Sequence, residues 1–263
     1  MARPISRCYL CKTIAPLCDS HLVPKAMYRL CMAKGEKNPN PFIVTPEIHV
    51  QKSVQWRDYL LCEPCENRFR VGGEDWILNH CCRSTTGKRF LLRDKIKAGT
   101  PYLSTSEGSI YSCKALGGID VDKLLYFGAS IFWRAAQKPW HVIRMTMQPL
   151  ELGPFDERLR LFLLGKEDFP QKTALNVWVS DLPEPWLSFS FPVSVERNQH
   201  WWYAHGIGFV LSLGSDIQEF HSGMSITNDS QPVLLSGFIE QRMRDGMNKA
   251  FGSSRAMMAL PSL

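Results

Sequence analysis

The sequence predicts an α+β protein built in two parts: a basic zinc module over residues 1–100 and an α+β domain with a mainly antiparallel sheet over residues 101–263. Three observations predict this. Two Cys-x-x-Cys pairs, Cys8/Cys11 and Cys62/Cys65, flank residues 12–61, and all nine cysteines fall within the first 113 residues. Charge divides at nearly the same place. Residues 1–100 hold 17 Lys+Arg and 9 Asp+Glu, a net of +8; the remainder holds 14 and 16, a net of −2, and the two make the overall +6. Residues 97–101 and 104–108 are rich in Gly, Ser and Thr, the composition of a connection. A hydrophobic content of 44% and a charged content of 21% exclude collagen, wholesale disorder and coiled coil.

The elements follow in order. Cys8 to Cys11 makes a tight knuckle turn. Residues 23–33 form a short helix with Pro24 near its start, Met27, Leu30 and Cys31 on one face, and Gly35 beyond its end. Residues 42–54, rich in Val and Ile, read as extended, with Pro46 marking an edge or a bulge. Pro64 suits the first turn of a helix through Glu66, Phe69 and Arg70 that Gly72-Gly73 ends; a second helix then covers residues 74–82. Further on, Asp120 or Asp122 caps a long helix with Leu124, Leu125, Phe127, Ile131 and Phe132 on its apolar face. Residues 155–164 make another, closed by Gly165. Strands are expected over 174–179, 186–195 and 201–213, the last nearly all apolar as a central strand would be. Residues 237–251 read as a closing helix.

No apolar stretch of signal-peptide length opens the chain. Residues 124–133, its most membrane-like stretch, are too short to span a bilayer and run straight into Arg134. A soluble, cytoplasmic protein that does not engage a membrane is expected. Clustered cysteines in that compartment point to metal or redox chemistry rather than disulfides. Two Cys-x-x-Cys pairs are a specific signal for tetrahedral Zn²⁺, because each supplies two thiolates from one turn. The second pair opens a helix, where the dipole favours thiolate. A set that swaps in Cys18 is the weaker choice, since Cys18 lacks a partner at knuckle spacing.

Between the pairs stands Asp19-Ser20-His21-Leu22-Val23-Pro24. A Cys-x-x-Cys, a strand bearing His before aliphatic-aliphatic-Pro, and a Leu-Cys-x-x-Cys opening a helix resemble the zinc-stapled HNH (His-Me finger) endonucleases, over about residues 6–75. The resemblance implies a treble-clef zinc site holding a ββα-metal motif, with Cys8, Cys11, Cys62 and Cys65 as structural zinc ligands. It implies His21 as the general base that deprotonates the attacking water, and Glu66 as a ligand of a catalytic Mg²⁺ or Mn²⁺. The implied activity is hydrolysis of nucleic-acid phosphodiester bonds, in a setting of bacterial defence or a mobile element. Ser20 stands where the family has an Asp or His ligand, and residues 55–61 lack the family's Asn. Asp58, Gln55 or Asn67 could replace that Asn, and Asp58 is carried here with His21 and Glu66 in the catalytic set. The residue types suit the chemistry: His titrates near neutrality, and a carboxylate is a hard ligand for a hard cation. The alternative is a non-catalytic treble-clef zinc finger that holds nucleic acid. A third reading makes residues 101–263 a sensor for a small ligand.

Weaker signals surround this core. Arg83, Lys88, Arg89 and Arg93 belong to a basic run that could track a nucleic-acid backbone, DNA ahead of RNA, or else form a solvated face. Trp201-Trp202-Tyr203 could stack bases, although a core strand explains it more simply. Residues 101–263, without a basic bias, are left for a protein partner or self-association.

Overall fold

Lys12, at a left-handed φ of 63°, turns the chain sharply after Cys11, and its amide bonds the Cys8 carbonyl at 2.9 Å. This closes the knuckle. The computed structural model describes residues 3–32, 37–44, 49–81, 90–106, 108–143, 145–182, 188–196, 198–214, 224–227, 231–237 and 241.

The knuckle joins β1 (Ile5–Arg7) to β2 (Ile14–His21), and α1 (Lys25–Leu30) follows. Then come β3 (Phe42–Val44), β4 (His49–Gln51), β5 (Arg57–Cys62) and α2 (Glu63–Phe69). A π turn at Arg70–Glu74 leads into α3 (Asp75–His80), and α4 (Leu91–Lys97) comes later. The second part comprises β6 (Leu103–Thr105), β7 (Gly108–Ser112), α5 (Cys113–Leu116) and α6 (Val121–Gln137). It continues with β8 (Trp140–Val142), β9 (Met145–Met147), α7 (Phe155–Leu163) and β10 (Thr173–Val179). It ends with β11 (Val193–Glu196), β12 (Gln199–Ala204), β13 (Ile207–Leu213) and β14 (Pro232–Leu235).

The fold is mixed α+β with mainly antiparallel sheets. One sheet has the order β1-β2-β5; a second has seven strands in the order β11-β12-β13-β10-β14-β7-β6; β3/β4 and β8/β9 are separate pairs. Only β10 and β14 run parallel among these described pairings.

Helix α6 is the axle. Asp120 accepts the Lys123 N–H at 3.1 Å as its cap, which decides between the two aspartates expected there. One side lies on the seven-stranded sheet through Phe127, whose ring meets Trp202 and Phe209 edge-on. Gly128 permits this approach, since a Cβ there would stand 2.8 Å from Leu175 and Phe209. The opposite side takes Phe69 of α2 against Tyr126 and Trp133. Buried apolar residues therefore form one cluster from Cys8 to Leu235. The division near residue 100 separates two sheets but not two cores.

Several elements differ from expectation. Gly72-Gly73 does not end a helix. The helical path continues through them as a π turn, and their missing side chains admit α6. A Cβ on Gly73 would meet the Lys123 carbonyl oxygen and Phe127 Cβ at 2.8 Å each. Gly73→Ala therefore forces backbone apart and should cost about 1–3 kcal/mol, read from chemical denaturation. Residues 42–44 and 49–51 pair with each other rather than forming one extended run. The presumed connection at 104–108 carries β6 and β7. Residues 201–213 are a hairpin, not one strand: His205 and Gly206 make a two-residue turn with φ of 49° and 89°, the mirror-image geometry that matches strand twist. An apolar run on both sides of a short turn looks continuous in sequence, because the turn signal is a single Gly. The expected closing helix at 237–251 lies outside the described residues except for Gly237 and Gln241, and of the strand expected at 186–195, residues 186 and 187 do too.

The hairpin tip locks the two parts together. His205 is 1% exposed, donates from Nε2 to the Met27 carbonyl at 3.0 Å, and its Nδ1 finds no partner among the described atoms. Burial pushes its pKa down from 6.5 to about 4. The folded protein thus resists a proton that the unfolded chain accepts. The stabilising difference is complete above about pH 6.5 and is lost as pH falls toward 4, a total of about 3 kcal/mol. His205→Asn tolerates the left-handed backbone and does not titrate, so its stability should lose that acid slope in thermal melts across pH 4–7.

Candidate metal centre and histidine site

The candidate metal centre is built from two backbone turns held by one sheet. Tyr9 N–H bonds Leu60 O at 3.1 Å, which places the knuckle over the end of β5, where Cys62 and Cys65 flank the start of α2. Ligand atoms of Cys8, Cys11, Cys62 and Cys65 all lie within 4.8 Å of one another. Cys11 and Cys62 sulfurs stand 3.7 Å apart, close to the ~3.8 Å edge of a tetrahedron with Zn–S bonds of about 2.3 Å. A hydrogen bond from Cys65 pulls the Cys8 thiol down to about 4, and the same contact pushes Cys65 up. Four thiolates this close repel one another, so a full set of anions needs a cation. The donor set and spacing fit zinc. Cys18 stays outside the group.

Among the described residues, no other set of three or more His, Cys, Asp or Glu side chains brings ligand atoms that close. Of the carboxylates expected to serve a catalytic metal, Asp58 is ion-paired to a cation of the second part and Glu66 lies in the field of another. Glu66 is mostly buried beside Ser20; burial raises its pKa, with Arg134 the largest opposing influence. Arg134, 1% exposed, forms an ion pair with Glu74, donates to the Leu22 carbonyl at 3.2 Å, and lies over the Phe69 ring at 4.5 Å. Asp58, opposite Ser20 in the β2/β5 register, pairs with Lys138 at 2.7 Å and accepts the Tyr59 N–H at 2.7 Å. One Glu66 oxygen has no hydrogen-bond partner. Among the described residues, Glu66 and Asp58 belong to no group of three or more ligand side chains that could share an ion, and the Arg134 guanidinium opposes a second cation beside Glu66. The site does not fit a catalytic Mg²⁺ or Mn²⁺.

His21 turns the other way. Adjacent side chains of a strand leave opposite faces, so Ser20 meets Glu66 while His21 meets another set. Its Nε2 lies 2.7 Å from Gln55 Oε1. That oxygen can only accept, so Nε2 carries the proton and Nδ1 keeps a lone pair. Burial lowers the His21 pKa from its ordinary value of 6.5; Lys25 and Arg57 add to the effect, while Gln55 and Asp19 oppose it. Arg57 is its cross-strand neighbour and bridges to Asp19 at 2.7 Å; Lys25, in the first turn of α1, is exposed. The result is a neutral imidazole, held in one tautomer, on a rim with two cations.

Sequence reasoning thus picked His21 and weighed Gln55, but missed Lys25, Arg57, Arg134 and Lys138. For Arg134 a signal existed: a charge set directly into an apolar helix face announces a buried partner. The basic run fares differently. Arg83, Lys88 and Arg89 lie outside the described residues. Arg93 is folded back onto the Leu182 carbonyl and beside Phe90, its side chain 13% exposed, and does not present a cation to solvent. Trp202 and Tyr203 are buried and cannot stack bases. A cleft of about 510 Å³ opens on the outer face of the seven-stranded sheet, between Trp178, Trp201, Val210 and Leu234, and its described lining carries no ionisable side chain. Among the described residues, no helix is long and apolar enough to cross a membrane.

No family model matches this chain, and neither does any curated protein or solved structure.

Proposed function

We propose that the protein is an HNH-like nuclease in which a zinc-stapled treble clef, formed by the knuckle, β2, β5 and α2, presents His21 as the general base of nucleic-acid phosphodiester hydrolysis. The observation that carries this reading is the His21–Gln55 hydrogen bond, which leaves a neutral ring with a fixed lone pair. Gln55, one of the residues that could replace the family's Asn, orients the ring. Nδ1 would remove a proton from water as its oxygen attacks phosphorus. The bond to the leaving oxygen breaks, and that oxygen takes a proton from solvent. Lys25 and Arg57 supply positive charge for the scissile phosphate.

The second reading, a non-catalytic zinc finger that holds nucleic acid, is favoured by the ion pair of Asp58 with Lys138 and by the influence of Arg134 on Glu66. One variant separates the two. His21→Ala should lower cleavage of single- and double-stranded DNA or RNA by at least about a hundredfold while bound zinc and folding persist. Cleavage by the wild type should be level at neutral and alkaline pH, and should fall in acid only below the ordinary histidine range, because burial lowers the His21 pKa. A wild type that binds nucleic acid but cuts none of these substrates supports the second reading.

A further inference from the structure

We infer that the cleft on the outer face of the seven-stranded sheet binds a neutral, planar aromatic molecule that carries an N–H or O–H donor. The inference stands apart from the nuclease reading. Strand alternation builds the cleft. In β10, Leu175 faces α6 at Gly128, so Asn176 and Trp178 leave by the opposite face. The register sets Val210 of β13 beside Asn176, Trp201 of β12 beside Val210, and Leu234 of β14 beside Trp178. Two indoles thus flank an aliphatic floor. At about 510 Å³ the cleft has the size of a small-molecule site rather than of a packing defect.

One polar group in this wall sets the chemistry. Asn176 is 3% exposed and borders the cleft. Its Nδ2 donates to the Met224 carbonyl at 3.0 Å. A carbonyl can only accept, so the amide is held in one orientation with Oδ1 as a fixed acceptor. Among the described residues nothing donates to that oxygen. A buried acceptor without a donor costs free energy, which a ligand's N–H or O–H recovers. The ligand is therefore flat and apolar enough to lie against Trp178 and Trp201, with one donor aimed at Asn176. It is uncharged, since the described lining offers no ionisable side chain to a phosphate, carboxylate or ammonium group. A nucleotide or a nucleic-acid strand does not meet these terms.

Carbazole, a planar tricycle with one N–H, tests the inference on the zinc-loaded full chain, with binding read from tryptophan emission transferred to the ligand. It should saturate at one per chain. N-methylcarbazole keeps the rings and loses the donor, and should bind at least about tenfold more weakly, as should a carbazole carboxylate. Asn176→Leu should bring carbazole down to the level of N-methylcarbazole, and Val210→Phe, which fills the floor, should abolish the binding of both. Equal binding of carbazole and its N-methyl form by the wild type overturns the inference, and that comparison needs no variant to fold. Carbazole binding that does not saturate, or that persists unchanged in a Val210→Phe protein of wild-type Tm, overturns it as well. So does self-association that expels carbazole, which would give the face to a second copy of this chain.

Discussion

Removing the zinc, or replacing Cys62 with Ser, should unfold the knuckle, the β2/β5 sheet and α2 together. The magnitude follows from what the thiolates hold. Structural zinc in small modules supplies about 10–16 kcal/mol of apparent binding energy, and most of it is folding energy because the unfolded chain has no preformed site. Besides the thiolates, the knuckle is fixed by the Tyr9 amide to Leu60, the Cys8 amide to the Thr13 carbonyl, the Lys12 amide to Cys8, the Cys62 amide to the Cys8 sulfur at 3.4 Å, and Arg160 donating to the Leu10 carbonyl. Without the metal, the four sulfurs repel or must take up protons in a buried setting. The damage should spread, because Leu10, Leu60 and Phe69 belong to the same buried cluster as Trp133 and Phe127. A thermal melt with and without a strong chelator, alongside bound zinc by atomic absorption, measures it. A Cys62→Ser protein with wild-type Tm would show that the cysteines staple nothing.

Breaking the Arg134–Glu74 pair from one side should cost about 3–5 kcal/mol, the usual result of leaving one buried charge without its partner. Glu74→Gln leaves the guanidinium facing only Glu66 and a carbonyl. Arg134→Met leaves Glu74 and Glu66 against each other in a poorly screened pocket, with the Phe69 face also uncovered. The double replacement removes both members of the pair and leaves only Glu66 without its cation, so its loss should be well below the sum of the two singles. Denaturant titrations of the four proteins complete the cycle. Additive losses would mean that the two side chains act independently and that the ion pair is not the link between module and helix.

Much of this was legible in the chain. The Cys-x-x-Cys pairs named the metal centre because the zinc signal is local: two thiolates per turn, with spacing set by the knuckle itself. The Asp120 cap, the α6 apolar face and the Gly165 helix end are local as well. The two-residue hairpin at His205 was harder, since the chain is buried without alternation from Trp202 through the turn to the end of β13. The role of Gly72-Gly73 was hidden for another reason. A glycine that ends a helix and a glycine that lets a neighbouring helix close in read alike until the neighbour, here Tyr126 and Phe127, is in place.

The sequence by itself determined the α+β class, the four cysteines that could hold a metal and the candidate base, because those depend on residue type and short spacing. Only the tertiary structure decided what Glu66 and Asp58 face. Their environment is set by Arg134 and Lys138, 68 and 80 residues away along the chain, and a carboxylate's role as metal ligand or ion-pair partner depends on which cation the fold delivers to it. The same physics put His21 on the opposite side of the strand, against Gln55 and away from Glu66.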